Sequence, residues 1–233
     1  MKEASEISRL RAVVAQHARA LEGVSAETVI RWAWKTFGAR LCATSSMGDV
    51  VIVHQASRFA PGLDVLFLDT GYHFPETLAL RDQVSSSFDV NVVEVRPERS
   101  VAEQRELWGR DLFASDPDGC CRLRKVLPLR RALAGYDAWI TGISRADSPE
   151  RAETPVLSWD EVNQVVKVAP LATWTRPMVE DYLAEHALPR NRRAELGYTS
   201  IGCQPCTSLP TGPDLRSGRW PGLQKTECGL HGG

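Results

Sequence analysis

Residues 40–68, RLCATSSMGDVVIVHQASRFAPGLDVLFL, decide the fold. A short apolar run, Arg40–Thr44, leads into a turn of small residues. A helical stretch, Val50–Phe59, follows, and a second apolar run, Asp64–Leu68, closes the unit. Strand, helix and strand in this order form a βαβ unit, which makes the two strands parallel. The alternation continues outward. Further apolar runs occupy Val90–Val95, Ala138–Thr141 and Val165–Val168, and most are separated by helical stretches at Pro75–Phe88 and Arg122–Ala134. The second of these stretches is expected to break at Pro128, whose ring removes a backbone donor. The expected fold class is therefore α/β, a mostly parallel, doubly wound sheet.

Upstream, Leu10, Val13, Val14, Ala18 and Leu21 recur at helical spacing within a helical region, Ser5–Gly38. In that region Ser25 reads as an N-cap, with Glu27 in the first turn behind it, and Gly38 as a stop. Downstream, Val156–Trp159 and Gln164–Val168 predict a hairpin. Arg176–His186 predicts one more helix, with Thr175 as its cap. After Gly197 the periodicity fades, and Gly and Pro become frequent from Gly202 onward. The expected organisation is one α/β domain over residues 1–213 and a mobile tail over residues 214–233.

Composition narrows the function. The 233 residues are 43% apolar, which excludes disorder as the whole answer. No apolar run approaches the roughly 18 residues of a membrane span. Lys plus Arg number 28 against 29 Asp plus Glu, so the net charge of −1 argues against a nucleic-acid partner, which needs a basic face. Met1–Arg11 carries alternating charge and no apolar export segment, so a cytoplasmic, reducing compartment is expected. There, the six cysteines read as metal ligands or redox groups before they read as disulfides.

Four of them form two pairs, Cys120-Cys121 and Cys203-Gln204-Pro205-Cys206. Thiolates suit zinc or iron–sulfur clusters. Zinc–sulfur bonds of about 2.3 Å demand a tight tetrahedron, which adjacent, diverging side chains reach poorly. A [4Fe–4S] cube takes one thiolate per corner, and this spacing favours it. Arg122, Arg124 and Lys125 follow directly and would stand beside the cluster's negative charge. Cys42 lies in the first apolar run and reads as a packing residue. Cys228 lies near the end, flanked by Lys225 and His231, which favour its thiolate, and by Glu227, which opposes it.

Parallel sheets bind ligands beyond the carboxyl ends of their strands. That rule singles out Ser45–Asp49, Asp69–His73 and Gly142–Arg151. The small-residue turn Ala43–Asp49 suits an anion, since backbone N–H groups and a helix start converge there. It is not a Walker-type loop.

Taken together, the stretches FLDTGYHFPET, CCRLRKVLPL, GYTSIGCQPCT, RSGRW and KTECGLH resemble the assimilatory sulfonucleotide reductases. The likeness is to their iron–sulfur branch, the adenosine 5′-phosphosulfate (APS) reductases, and runs from about Thr44 to His231. The resemblance implies an adenine-nucleotide α-hydrolase-like fold and an oxidoreductase of sulfate assimilation and cysteine biosynthesis. It implies one [4Fe–4S] cluster per chain on Cys120, Cys121, Cys203 and Cys206. Cys228 would be the nucleophile, with Lys125 linking cluster and substrate. Arg151, Arg216, Arg219 and His231 would contact the phosphosulfate, and Ser45, Ser46, Leu68 and Gly142 the nucleotide. Thioredoxin would be the reducing partner, APS the substrate and AMP a product. Assembly into a homo-oligomer stays open. One departure is visible: Ser144 precedes Arg145 where the family has two arginines, which leaves Arg145 without an assigned role. The rivals are reduction of the 3′-phosphorylated substrate (PAPS), an iron–sulfur RNA thiolase and a non-catalytic redox sensor. The cysteine pairs favour APS over PAPS, and the turn at Ser45–Asp49 lacks the ATP-cleaving pattern a thiolase needs.

Overall fold

The computed structural model describes residues 2–212 and 214–231. Its helices are α1 (Ala4–Leu21), α2 (Ala26–Phe37), α3 (Val51–Phe59), α4 (Pro75–Ser87), α5 (Val101–Trp108), α6 (Leu112–Ser115), α7 (Pro117–Cys121), α8 (Leu127–Leu133), α9 (Arg176–Glu185) and α10 (Arg192–Glu195). Its strands are β1 (Leu41–Thr44), β2 (Leu63–Leu68), β3 (Val90–Val95), β4 (Ala138–Thr141), β5 (Leu157–Asp160) and β6 (Val165–Val168). They form one six-stranded sheet in the order β3-β2-β1-β4-β6-β5. All neighbours are parallel except the hairpin pair β5–β6. The doubly wound α/β expectation holds.

The sheet is doubly covered because its central strands are apolar on both faces. Ala43, Val65, Phe67, Ala138, Ile140 and Val166 belong to one core, with Val29, Ile30 and Ala33 of α2. Cys42, Leu66, Trp139 and Val165 belong to the opposite core, with Leu129 and Leu133 of α8. Successive strand residues point to opposite faces, so each short run feeds both layers. Cys42 is fully buried, the packing residue its position suggests. Ser25 caps α2 by accepting from the Thr28 amide, and Gly38, with φ 51°, ends it.

Two local readings change. The helical region Ser5–Gly38 divides into two helices at 22–25, as the cap at Ser25 implies. The irregularity expected at Pro128 lies before it. Arg122–Val126 wind as a π-helical turn, and Pro128 sits within the first turn of α8, where its missing N–H is tolerated. α5, which the apolar spacing does not reveal, starts on a full capping box between Ser100 and Glu103. The order of strands reverses between β1 and β4, so the carboxyl ends of these two open a crevice. Among the described residues no helix is long and apolar enough to cross a membrane.

Candidate active site

A cavity of about 280 Å³ fills that crevice, near the lower end of ligand-pocket volumes of about 300–1,000 Å³. The turn after β1 gives it Ser45 and Ser46; the end of β2 gives Leu68; the turn after β4 gives Gly142. Lys125, Arg151, Cys203, Arg216, Arg219, Cys228 and His231 complete the wall. Residues far apart in sequence thus meet in one place.

The floor is rigid. Ser45 Oγ accepts from the Met47 amide at 3.1 Å, and Met47 takes a left-handed backbone, φ 54°. The buried Asn191 amide holds this turn by donating to the Met47 carbonyl at 2.8 Å and to Thr77 Oγ1 at 3.1 Å. Asp49 accepts from the Val51 amide at the start of α3. Burial pushes its carboxyl above the ordinary value. The Leu68 carbonyl is already engaged by His73 Nε2 at 2.8 Å.

The two cysteine pairs meet beside this cavity. Cys120, Cys121, Cys203 and Cys206 are each 6–7% exposed and line one small space with Tyr72, Phe113, Arg124 and Lys125. Cys228 packs against the same group. Desolvation and then the neighbouring sulfurs push the Cys120 thiol up to about 12. Desolvation and Cys203 push Cys206 up to about 11. Such thiols resist ionisation unless a metal centre takes their protons' place. Four buried thiols around a shared space, with two basic residues beside them, suit a thiolate-bound metal centre.

Lys125 is the link between this group and the cavity. Burial alone would lower its ammonium, but the sulfurs of Cys203, Cys228 and Cys121 around it outweigh burial and hold it above the ordinary value. Arg124, one residue earlier, turns the other way. It is buried and donates to the carbonyls of Thr70 and Arg99 and to Gln104 Oε1. Thr70 Oγ1 in turn lies 3.3 Å from Cys203 Sγ. Adjacent basic residues thus divide, one bracing the cysteine group and one facing the cavity.

Residues 214–231 lie against the core. Leu230 packs on the β1–β4 face, and the His231 ring stacks parallel on Trp139, with centroids 5.6 Å apart. Lys225 pairs with Asp118 on α7 and lies over the Trp220 ring, as do Arg216 and Arg219. A side-chain carbon at Gly202 would collide with the Arg219 guanidinium, and one at Gly218 with the Ser208 carbonyl. Gly218 therefore has a packing reason.

The Phosphoadenosine phosphosulfate reductase domain family matches residues 40–209. This chain belongs to that family. It is 52% identical to the "Adenosine 5'-phosphosulfate reductase" of Mycobacteroides abscessus, covering 97% of this chain and 96% of that one. Against the protein of the same name from Streptomyces coelicolor it is 50% identical, covering 100% and 99%. Among solved structures, phosphoadenylyl-sulfate (PAPS) reductase from Candida auris, a phosphate complex, aligns with a TM-score of 0.72 at 31% identity. It covers 84% of this chain and 96% of that one. FMN adenylyltransferase from Candida glabrata shares the fold at 14% identity and a TM-score of 0.60, over 89% and 74%.

Within this family member, two expected residues acquire a defined state. Burial, then Lys167, Arg151 and Arg216, pull the His231 imidazole well below its ordinary value. At neutral pH it is an uncharged ring that donates through one nitrogen only. Arg145 faces away from the cavity: its guanidinium donates to the Thr154 carbonyl and to Glu22, both at 2.8 Å. Ser144 instead caps the following turn. The sequence assigns no role to Asp147, which pairs with Arg151 at 2.8 Å, to Asn191, which holds the floor, or to Trp220, 1% exposed beneath three cations. Asn191 could have been flagged as the N-cap of α10. Trp220 stands in the quoted RSGRW stretch but gives no periodic signal.

Proposed function

We propose that this chain is a thioredoxin-dependent oxidoreductase that reduces APS to sulfite and AMP. The observation that carries the reading is Cys228 on the wall of a cavity that also presents Lys125, Arg151, Arg216 and Arg219, beside the four-cysteine group. Relatives named APS reductase at 50–52% identity over nearly the whole chain favour APS over PAPS.

The Cys228 thiolate attacks the sulfur of APS. A sulfur–sulfur bond forms and the bond from sulfur to the phosphate oxygen breaks, releasing AMP and leaving S-sulfocysteine. A thioredoxin thiolate then attacks Cys228 Sγ and expels sulfite. Its second thiol closes the thioredoxin disulfide and returns Cys228 as a thiol, so two electrons pass from the dithiol to sulfur. Arginine forks hold the oxygens of the leaving phosphate. Lys125 adds a compact charge on the cysteine-group side. Ser45, Ser46, Leu68 and Gly142 line the nucleotide end. Cys120, Cys121, Cys203 and Cys206 would hold one [4Fe–4S] cluster, which supplies a fixed charge beside the cavity. The reading places the enzyme in the cytoplasm, in sulfate assimilation.

The test is sulfite release by anaerobically prepared protein with reduced thioredoxin. APS should be turned over much faster than PAPS, and Cys228→Ser should still bind nucleotide while releasing no sulfite. Unchanged turnover by that variant, or preference for PAPS, defeats the proposal. Iron content and a visible absorption band, lost in Cys121→Ser, test the cluster separately.

A further inference from the structure

Two of the three arginines expected to contact the phosphosulfate are already occupied. Arg151 Nε and Nη2 donate to the two oxygens of Glu227 at 2.7 and 2.9 Å, a bidentate fork. Arg216 Nη2 donates to the same carboxylate at 3.3 Å and to the Thr226 carbonyl at 2.9 Å. Both arginine side chains are 12% exposed and Glu227 is 25% exposed, so water screens this triad weakly. By contrast, Lys125 and Arg219 line the same cavity without a carboxylate within ion-pair distance among the described residues. The occupation is also incomplete. Arg151 Nη1 is taken by Asp147 at 2.8 Å, but Arg216 Nε is buried and has no hydrogen-bond partner, a donor that the two oxygens of Glu227 leave open.

We infer that Glu227 is a stand-in anion, held by Arg151 and Arg216 when no ligand is bound and exchanged for the anionic group of the ligand when one arrives. The inference rests on the proposed APS reading for the identity of that ligand. The terminal sulfo group of APS brings three free oxygens and a sulfate ion four, so either can reach the donor that the two oxygens of Glu227 leave open. Because Glu227 is the neighbour of Cys228, the exchange loosens the backbone at the proposed nucleophile. The rest of the tail stays seated through Lys225–Asp118 and the His231–Trp139 stack. The release is confined to a few residues, and it couples arrival of the substrate to freedom of the attacking sulfur. Glu227 acts through the arginines and is thus a positioning residue.

The experiment measures binding in a Cys228→Ser background, where no turnover occurs, with APS, inorganic sulfate and adenosine as probes. Glu227→Gln should tighten APS about tenfold and tighten sulfate, because the competing charge is gone. Adenosine affinity should not move. Glu227→Asp, which keeps the charge, should bind as the parent does. Hydrogen exchange at residues 226–229 of the parent should speed up when APS binds. APS affinity unchanged or weakened in Glu227→Gln, or slower exchange at 226–229 on binding, overturns the inference. Failure of the APS reading shows separately, as absence of sulfite from the wild-type chain, and the sulfate arm then still reports on Glu227.

Discussion

Ser45 and Gly142 reach the cavity from strands whose side chains are almost wholly buried. Arg216, Arg219 and Cys228 reach it on a segment that, among the described residues, holds no strand and after α10 one helical element, the short turn Gln204–Cys206. The first wall stands on apolar area: Ala43, Ile140 and Val166 are each 0% exposed. Burial of the Ile140 or the Val166 side chain stabilises by about 1.5–3 kcal/mol. The second wall stands on charge: Glu227 between two arginines, Lys225 on Asp118, and three cations over Trp220. The difference implies that the sheet can keep its shape while the wall bearing the proposed nucleophile is rearranged, which suits the proposed sequence in which that sulfur meets first a nucleotide and then a protein.

The comparison breaks most sharply at the sheet. Ile140→Ala removes buried methylene groups from a central strand and should cost about 2–5 kcal/mol, read as a lower urea midpoint. A loss below that range would mean the sheet is not the rigid partner. Acid should act on the other wall. Desolvation pushes the Glu227 carboxyl up, but Arg151 and Arg216 outweigh it and hold it below the ordinary value of 4.5. A group depressed in the folded state stabilises fully above that value and loses its contribution as pH falls through the folded value. Peptic cleavage within residues 224–231 should therefore rise on acidification before the circular dichroism of the sheet changes. At stake are charge-assisted bonds of about 1.5–3 kcal/mol. Simultaneous loss of both signals would merge the two walls into one cooperative unit. The smallest effect belongs to Arg145, whose ion pair with Glu22 is partly solvated on the outer surface. Arg145→Met should leave sulfite turnover unchanged and cost about 0–1 kcal/mol; a marked fall in turnover would return this residue to the site.

The same division explains what could be read without coordinates. Each strand run named from the sequence matches a strand, because burial on both faces writes apolar residues continuously. The cavity at the carboxyl ends of β1 and β4 follows from strand order once the sheet is known. Cys120, Cys121, Cys203 and Cys206 were legible as a group because thiol spacing is a chemical signal that needs no periodicity. The pairing of Glu227 with Arg151 was not, since it joins residues 76 positions apart through charge alone. Nor was the opposite aim of Arg124 and Lys125: the spacing placed both beside the cysteines but could not tell which faced inward.

That opposite aim depends on the wide turn at Arg122–Val126. A π turn holds one more residue than an α turn, so everything before it is rotated by about 100° relative to everything after it. Were this turn wound regularly by losing a single residue, Leu129 and Leu133 could still bury themselves, yet the cysteines of α7 would swing out of phase with the apolar ridge behind them. Reading frame along one helix is therefore as much a part of this enzyme's chemistry as any side chain, and the segment 122–126 is a place where length is constrained more tightly than composition.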